Sequence, residues 1–251
     1  MAVFYVIATP IGNLEDITLR AIRILKSVDI VLCEDTRVTK RLFERHGIST
    51  STLSYHAQSD KTKTTAIFDL ISKDKNIALV TDAGTPGISD PGSFLISEIR
   101  FHFRKEISKS ELKIESIPGP SVLTSALSIA GVSSDEFTFL GFIPHKKGRE
   151  TLLKEIISSE RTMVFFESSH RIIKTLQWFD GHLSNFDKDK EHLSNSDENI
   201  ESKNNNKKIT IVREITKIYE EVMQGSPKEI FDILKTNPEK QRGEFVVIVS
   251  E

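Results

Sequence analysis

The sequence predicts an α/β protein of two lobes, a doubly wound, mostly parallel sheet over residues 1–117 followed by an α+β lobe over 118–251. Three observations carry this. Apolar runs such as Val3–Ala8 and Ile77–Val80 do not alternate with polar residues, the pattern of strands covered on both faces. Between such runs lie segments with apolar residues at helical spacing, and strands alternating with helices build a parallel sheet. From about Phe137 the strands follow one another more closely, with hairpin-like connections, which predicts a second lobe of a different class.

In the first lobe, Val3–Ala8 is the opening strand and ends in the Gly/Pro turn Thr9–Leu14. Thr18 is a predicted N-cap, and Leu19, Ile22, Leu25 and Val28 form one helical stripe behind it. Asp29–Cys33 is the next strand. Glu34-Asp-Thr-Arg37 stands at its end and opens a helix over Val38–His46, which Gly47 stops. Arg37, Arg41 and Arg45, spaced i, i+4, i+8 with Lys40 beside them, give that helix a basic face, either solvated or turned to an acidic partner. Leu53–His56 reads as extended, 64–73 as helix, Ile77–Val80 as strand, 93–103 as helix and Lys113–Ile117 as strand. Pro118–Ser121 is a further Gly/Pro turn, with Ser121 as N-cap of a helix over Val122–Ala130 closed by Gly131.

The turn after Ile77–Val80, Thr81-Asp-Ala-Gly-Thr-Pro-Gly-Ile-Ser-Asp-Pro-Gly92, holds three glycines and two prolines in twelve residues and can continue neither strand nor helix. Glycine serves where backbone approaches a ligand closely or φ is positive. By itself the stretch also fits an ordinary surface turn. Its recurrence in kind after the first strand and after Ile117 points to ligand binding at the carboxyl edge of the sheet.

In the second lobe, Phe137–Phe142, Arg161–Phe166, Lys208–Val212, Glu220–Gln224 and Glu244–Ser250 are the predicted strands, and Ser226-Pro-Lys-Glu229 is a capping box. Residues 181–207 contain a near-tandem duplication of ten residues and too few apolar side chains to offset the cost of ordering, so they are expected to be a disordered insertion.

The chain has 251 residues, 38% hydrophobic and 28% charged, with a net charge of −2, so any nucleic-acid contact must use local basic patches. A single cysteine excludes an internal disulfide and points to a reducing compartment, hence a cytoplasmic location. No apolar run approaches the ~20 residues of a membrane span, and no signal peptide or membrane association is expected.

Taken together, Ala8–Arg20, Glu34–Arg37, Tyr55-His56, Asp82–Gly92, Ile117–Ser121, Phe166-Glu167 with His170-Arg171, Arg213–Lys217 and Gly243–Val246 resemble the tetrapyrrole-methylase superfamily. Within it, they resemble the ribosomal small-subunit methyltransferase I family, which methylates a cytidine ribose 2′-hydroxyl of small-subunit ribosomal RNA. Ser169 stands where that family commonly has proline, and 181–207 is extra. The resemblance implies a two-lobed tetrapyrrole-methylase-like fold, S-adenosylmethionine as cofactor, ribosomal RNA or the small ribosomal subunit as partner, and a homodimer. By position it implies a cofactor wall of Pro10, Asp82, Gly84, Pro86, Gly87, Ile88, Ser121, Val122 and Phe166.

Methyl transfer from a sulfonium is an in-line displacement with a neutral leaving group, so it demands alignment above all. A ribose hydroxyl is a weak acid, and a general base or charge partner helps. Glu34, Asp35, His56, Glu167, His170 and Glu214 are candidates at strand ends, with Asp35 and Glu167 preferred; each could equally be a structural cap or ion-pair partner. Arg37, Arg171 and Lys217 are expected to hold phosphates, with His56 also at the substrate. Lys146 belongs, with Lys147 and Arg149, to a basic loop suited to the RNA backbone or simply to solvent. No metal is expected. The alternatives are a methyltransferase of the same fold acting on a tetrapyrrole or other small molecule, and a catalytically silent RNA-binding module.

Overall fold

The computed structural model describes residues 1–56, 61–90, 92–183 and 207–251, which fall into two compact units, Met1–Ser121 and Val122–Glu251. The first unit contains β1 (Ala2–Ile7), α1 (Leu19–Ser27), β2 (Ile30–Cys33), α2 (Thr36–His46), β3 (Thr52–Ser54), α3 (Lys61–Ser72), β4 (Ile77–Leu79), α4 (Gly92–His102), α5 (Arg104–Ser108) and β5 (Leu112–Ile117). Its strands lie in the order β3-β2-β4-β1-β5 and every pairing is parallel. Phe4 and Val6 of β1 face one apolar cluster with Leu32, Ile67, Leu95 and Ile99, while Ile7 faces another with Leu25, Val31, Leu42 and Phe43. Helices therefore cover both faces, which is why β1 reads as an unbroken apolar run.

Local chemistry sets the helix ends. The Thr18 hydroxyl accepts from the Ala21 amide at the start of α1. Gly47, at φ +60°, donates its amide to the Phe43 carbonyl and ends α2. The turn Pro118–Ser121 belongs to the first unit rather than the second: a methyl group on Gly119 would lie 3.1 Å from the Ala8 side chain, and the Thr85 hydroxyl donates to the Pro120 carbonyl (3.2 Å).

The second unit contains α6 (Val122–Ala130), β6 (Phe137–Phe142), α7 (Arg149–Ser158), β7 (Thr162–Ser168), α8 (Ile172–Leu183), β8 (Lys208–Arg213), β9 (Glu221–Gly225), α9 (Pro227–Thr236) and β10 (Glu244–Ser250). The strand order is β6-β7-β10-β8-β9. Only β8 and β9 follow one another as an antiparallel pair; β6 and β7 are parallel and joined through α7, and β10 is inserted between β7 and β8. The helices α7 and α8 stand where the sequence suggested hairpin-like links. Leu153, Ile156 and Ile157 of α7 and Ile172, Leu176 and Phe179 of α8 fill one core with Phe165, Ile211, Val247 and Ile230. The capping box at the start of α9 forms, Ser226 accepting from the Glu229 amide and the Glu229 carboxylate from the Ser226 amide.

Of the expected disordered insertion 181–207, residues 184–206 lie outside the described residues. At its edges Gly181–Leu183 complete α8, and the buried Lys207 donates its ammonium to the Ser159 carbonyl at 2.5 Å. Among the described residues no helix is long and apolar enough to cross a membrane.

Candidate functional site

All five strands of the first sheet are parallel, so the segments after them emerge at one edge. Because β4 lies between β1 and β2, its loop 81–92 emerges between the segments that follow those two strands. Backbone bonds tie these segments together. Thr9 and Gly84 exchange both amide–carbonyl bonds (2.9 and 3.1 Å), and the Thr9 hydroxyl donates to the Thr81 carbonyl (3.1 Å). The Asp82 carboxylate accepts from the Asp35 amide at 2.9 Å, linking the loop to the start of α2. Asp90 accepts from the amides of Gly87 (2.8 Å) and Gly92 (2.7 Å), folding the loop back on itself. Asp90 was not among the expected site residues, although Ser-Asp-Pro-Gly is a turn signal.

Gly84 (φ +80°) and Gly87 (φ +91°) hold backbone conformations that side chains rarely adopt, and a methyl group on Gly84 would approach Ile11 to 3.3 Å. Pro10, Gly84 and Pro86 are buried, Asp82, Gly87 and Ser121 half-buried and Ile88 exposed. The first unit thus gathers seven of the nine expected cofactor residues at or beside one sheet edge. Val122 and Phe166 belong to the second unit.

The carboxylates at this edge differ sharply. Asp35 caps α2 by accepting from the Arg37 amide (2.8 Å), and the Arg37 guanidinium grips both its oxygens (3.0 Å from Nε, 2.6 Å from Nη2). Those bonds hold the Asp35 carboxyl down at about 2, where it is a weak base. Glu34 has the opposite environment. Burial pushes its carboxyl up, the charges of Asp82 and Asp90 push further, and His56 opposes them. Half-buried His56 thus stands on the same edge.

In the second unit Glu167 is buried at the end of β7 and fully engaged. Its Oε1 accepts from the Ser168 amide (2.8 Å) and lies 2.7 Å from Arg171 Nε. Its Oε2 accepts from the Thr175 hydroxyl (2.8 Å) and from Arg149 Nη2 (3.3 Å). Arg149 also donates to Thr175 Oγ1 at 2.6 Å, and Arg171 donates from Nη1 to the Ile143 carbonyl at 2.7 Å. Arg171, expected to hold a phosphate, and Arg149, read as part of a loop facing RNA or solvent, are turned inward with side chains only 13% and 19% exposed. They clamp the backbone that leads into His145-Lys146-Lys147. Lys146 and Lys147 are exposed, and neither makes an ion pair among the described residues.

Lys217 sits 2.9 Å from each of Glu214 and Glu244. Burial alone would lower its ammonium, but the two carboxylates outweigh burial and raise it. Glu214 (φ +50°) and Thr216 (φ +63°) hold the turn in a strained backbone form. Phe166 is half-buried beneath Phe139 and Phe142, with ring centroids 5.0 and 5.3 Å away.

The sheet edge of the first unit suits a ligand held by backbone groups and small side chains. The model of the tetrapyrrole (corrin/porphyrin) methylases matches residues 3–230. A ribosomal RNA small subunit methyltransferase I from Hydrogenobaculum sp. is 39% identical over 249 residues, 98% of this chain and 95% of the relative. One of the same name from Thermotoga maritima is 34% identical over 250 residues, 100% of this chain and 99% of the relative. Among solved structures, a cobalt precorrin-4 methyltransferase superposes with a TM-score of 0.57 at 15% identity, over 99% of this chain and 94% of that one. A uroporphyrin-III C-methyltransferase from Thermus thermophilus superposes with 0.54 at 14%, over 99% and 94%. Such distant likeness speaks for the fold alone. With near-full-length relatives above thirty per cent identity and a family model spanning both units, the chain belongs to the tetrapyrrole methylases and, within them, to the ribosomal RNA small subunit methyltransferase I family.

Proposed function

We propose that the protein transfers a methyl group from S-adenosylmethionine to the 2′-hydroxyl of a cytidine ribose in small-subunit ribosomal RNA. The observation that carries this reading is the backbone-lined edge of the first sheet, in a chain so similar along its length to proteins bearing that family name. The residues fit the cofactor. Gly84 keeps the loop backbone in a positive-φ turn against Ile11, and Thr9, Asp82 and Asp90 fix the surrounding backbone without a cationic side chain in the loop, as a ligand without a triphosphate requires.

When bound, S-adenosylmethionine supplies an electrophilic methyl on a sulfonium. The chain's task is to place the ribose oxygen in line with that methyl and to manage the hydroxyl proton. Glu34 is suited to receive the proton, because its raised carboxyl is a stronger base than Asp35 and no side-chain hydrogen bond to it occurs among the described residues. Asp35 instead orients Arg37, whose outer face reaches solvent at 86% exposure and can meet a phosphate. Glu167 keeps Arg149 and Arg171 in place under the Lys146 loop, which takes up the RNA backbone. His56 stands at the substrate beside Glu34, whereas Lys217, its charge taken up by two glutamates, fixes the turn around Glu214 rather than a phosphate. The protein works in the cytoplasm as a homodimer, a state that light scattering after size exclusion would read.

The decisive experiment is methyl transfer from labelled S-adenosylmethionine to small ribosomal subunits lacking the modification, followed by nucleoside analysis. Label in 2′-O-methylcytidine is expected. Label in another nucleoside, or in none despite cofactor binding, would refute the assignment of substrate. Turnover of a tetrapyrrole instead would establish the small-molecule alternative.

A further inference from the structure

The edge strand β6 carries a fault in its register. Phe139 is opposite Val164 of β7, but Phe142 is opposite Phe166, so three residues of β6 span two of β7. The extra residue is accommodated at Gly141, which takes φ +65°. Side chains alternate along a strand, so without this bulge Phe142 would point away from Phe139. With it, Phe139, Phe142 and Phe166 gather on one face of the sheet, opposite the core that holds Phe165. Phe142 packs edge-on against Phe166 and leaves 61% of its surface open. The bulge thus presents a large apolar ring at the edge of the sheet, most of it left uncovered by its contact with Phe166.

The charge beside it selects the occupant. Pro144 ends the strand, and His145, Lys146 and Lys147 follow at once, exposed, with no acidic partner for either lysine among the described residues. The nearest acid in sequence, Glu150, is taken by Lys154 at 2.8 Å. The loop is held from below by the Glu167–Arg171 pair through the Ile143 carbonyl. A flat open ring next to a fixed cationic loop matches a nucleotide, with the base on the ring and the phosphates on the lysines.

We propose that Phe142 is a stacking platform for an unpaired base in a single-stranded stretch of the ribosomal RNA substrate, and that Lys146 and Lys147 hold the flanking phosphates. The inference rests on the RNA-methylating reading and adds a base-contacting residue to it.

The test measures binding and methylation of small ribosomal subunits lacking the methyl group, with circular dichroism and thermal unfolding as the control for folding. Phe142→Ala and Phe142→Leu are both expected to weaken subunit binding about tenfold to a hundredfold, the range of a lost base–aromatic stack. Phe142→Trp retains binding, and the fold is intact throughout. Leucine is the discriminating variant, since a merely apolar or structural role would tolerate it. The salt dependence separates the two elements: Phe142→Ala leaves the slope of log affinity against log salt as it was, while Lys146→Ala and Lys147→Ala each reduce it by about 1. Wild-type affinity in both Phe142→Ala and Phe142→Leu overturns the platform while leaving the proposed function standing. A wild-type protein that neither binds nor methylates the subunit overturns both.

Discussion

Glu167→Ala should strongly destabilise the second unit. The carboxylate is 0% exposed and accepts from the Ser168 amide, the Thr175 hydroxyl and Arg149, with Arg171 Nε 2.7 Å from its other oxygen. Removing it leaves two guanidinium groups, 19% and 13% exposed, without the counter-charge they share. Breaking a buried pair by deleting one partner costs about 3–5 kcal/mol, because the orphaned charge keeps its desolvation penalty. A domain has only about 5–15 kcal/mol in hand, so the change consumes a large share of it. The sole tryptophan, Trp178, lies on α8 and stacks on His182 with centroids 3.8 Å apart, which makes its fluorescence a local reporter. Urea unfolding followed at Trp178 should show the midpoint falling with little change in slope. Thr175→Val, which removes one donor and leaves the charges paired, should cost about 1–3 kcal/mol. A loss below about 1 kcal/mol for Glu167→Ala would refute the view that this carboxylate holds the arginines in place.

Gly84→Val should weaken S-adenosylmethionine binding measured by calorimetry, since the residue sits at φ +80° and its first side-chain atom would meet Ile11 at 3.3 Å; unchanged affinity would remove the loop from the site. Glu34→Gln should lower the methylation rate about a hundredfold or more while sparing cofactor affinity, the scale of general-base catalysis. Because the Glu34 carboxyl is raised, the acid limb of the wild-type rate profile should lie above the ordinary carboxylate range, activity appearing as the pH rises through it; a profile that Glu34→Gln leaves unshifted would contradict the role. Asp35 is lowered to about 2, so its contribution to stability is full above the unfolded value of about 3.9 and is lost as pH falls from there through about 2. Acid titrations of Asp35→Ala should lack that component, and identical curves would show that the Arg37 contact adds nothing in solution.

Much of the molecule was legible because its causes are local. An unbroken apolar run such as β1 signals a strand covered twice, Thr18 and the Ser226–Glu229 box mark helix starts through their own side chains, and Gly47 and Gly131 mark helix ends through positive φ. The loop 81–92 was marked by its glycines and prolines, two of which, Gly84 and Gly87, take positive φ. The helix α7 carries no such mark, although Leu153, Ile156 and Ile157 lie at helical spacing, because its N-cap is Gly148, in the left-handed region, with no side-chain cap. In α8, likewise, Ile172, Leu176 and Phe179 carry the stripe without a recognisable cap in the sequence before it.

The sequence alone therefore determined most elements of the first unit, the glycine-rich edge and the family to which these residues point, since each depends on neighbours in the chain or on conformations few residues can adopt. Only the tertiary structure decided what the charged and aromatic residues do. Arg149 and Arg171 read as basic surface residues until Glu167 and Thr175, brought by β7 and α8, turned them inward. Asp35 and Glu34 are adjacent in the chain, yet Arg37 lowers one while burial and two aspartates raise the other. Phe142 faces outward because of its register against β7, and register is a relation between strands that no single segment contains.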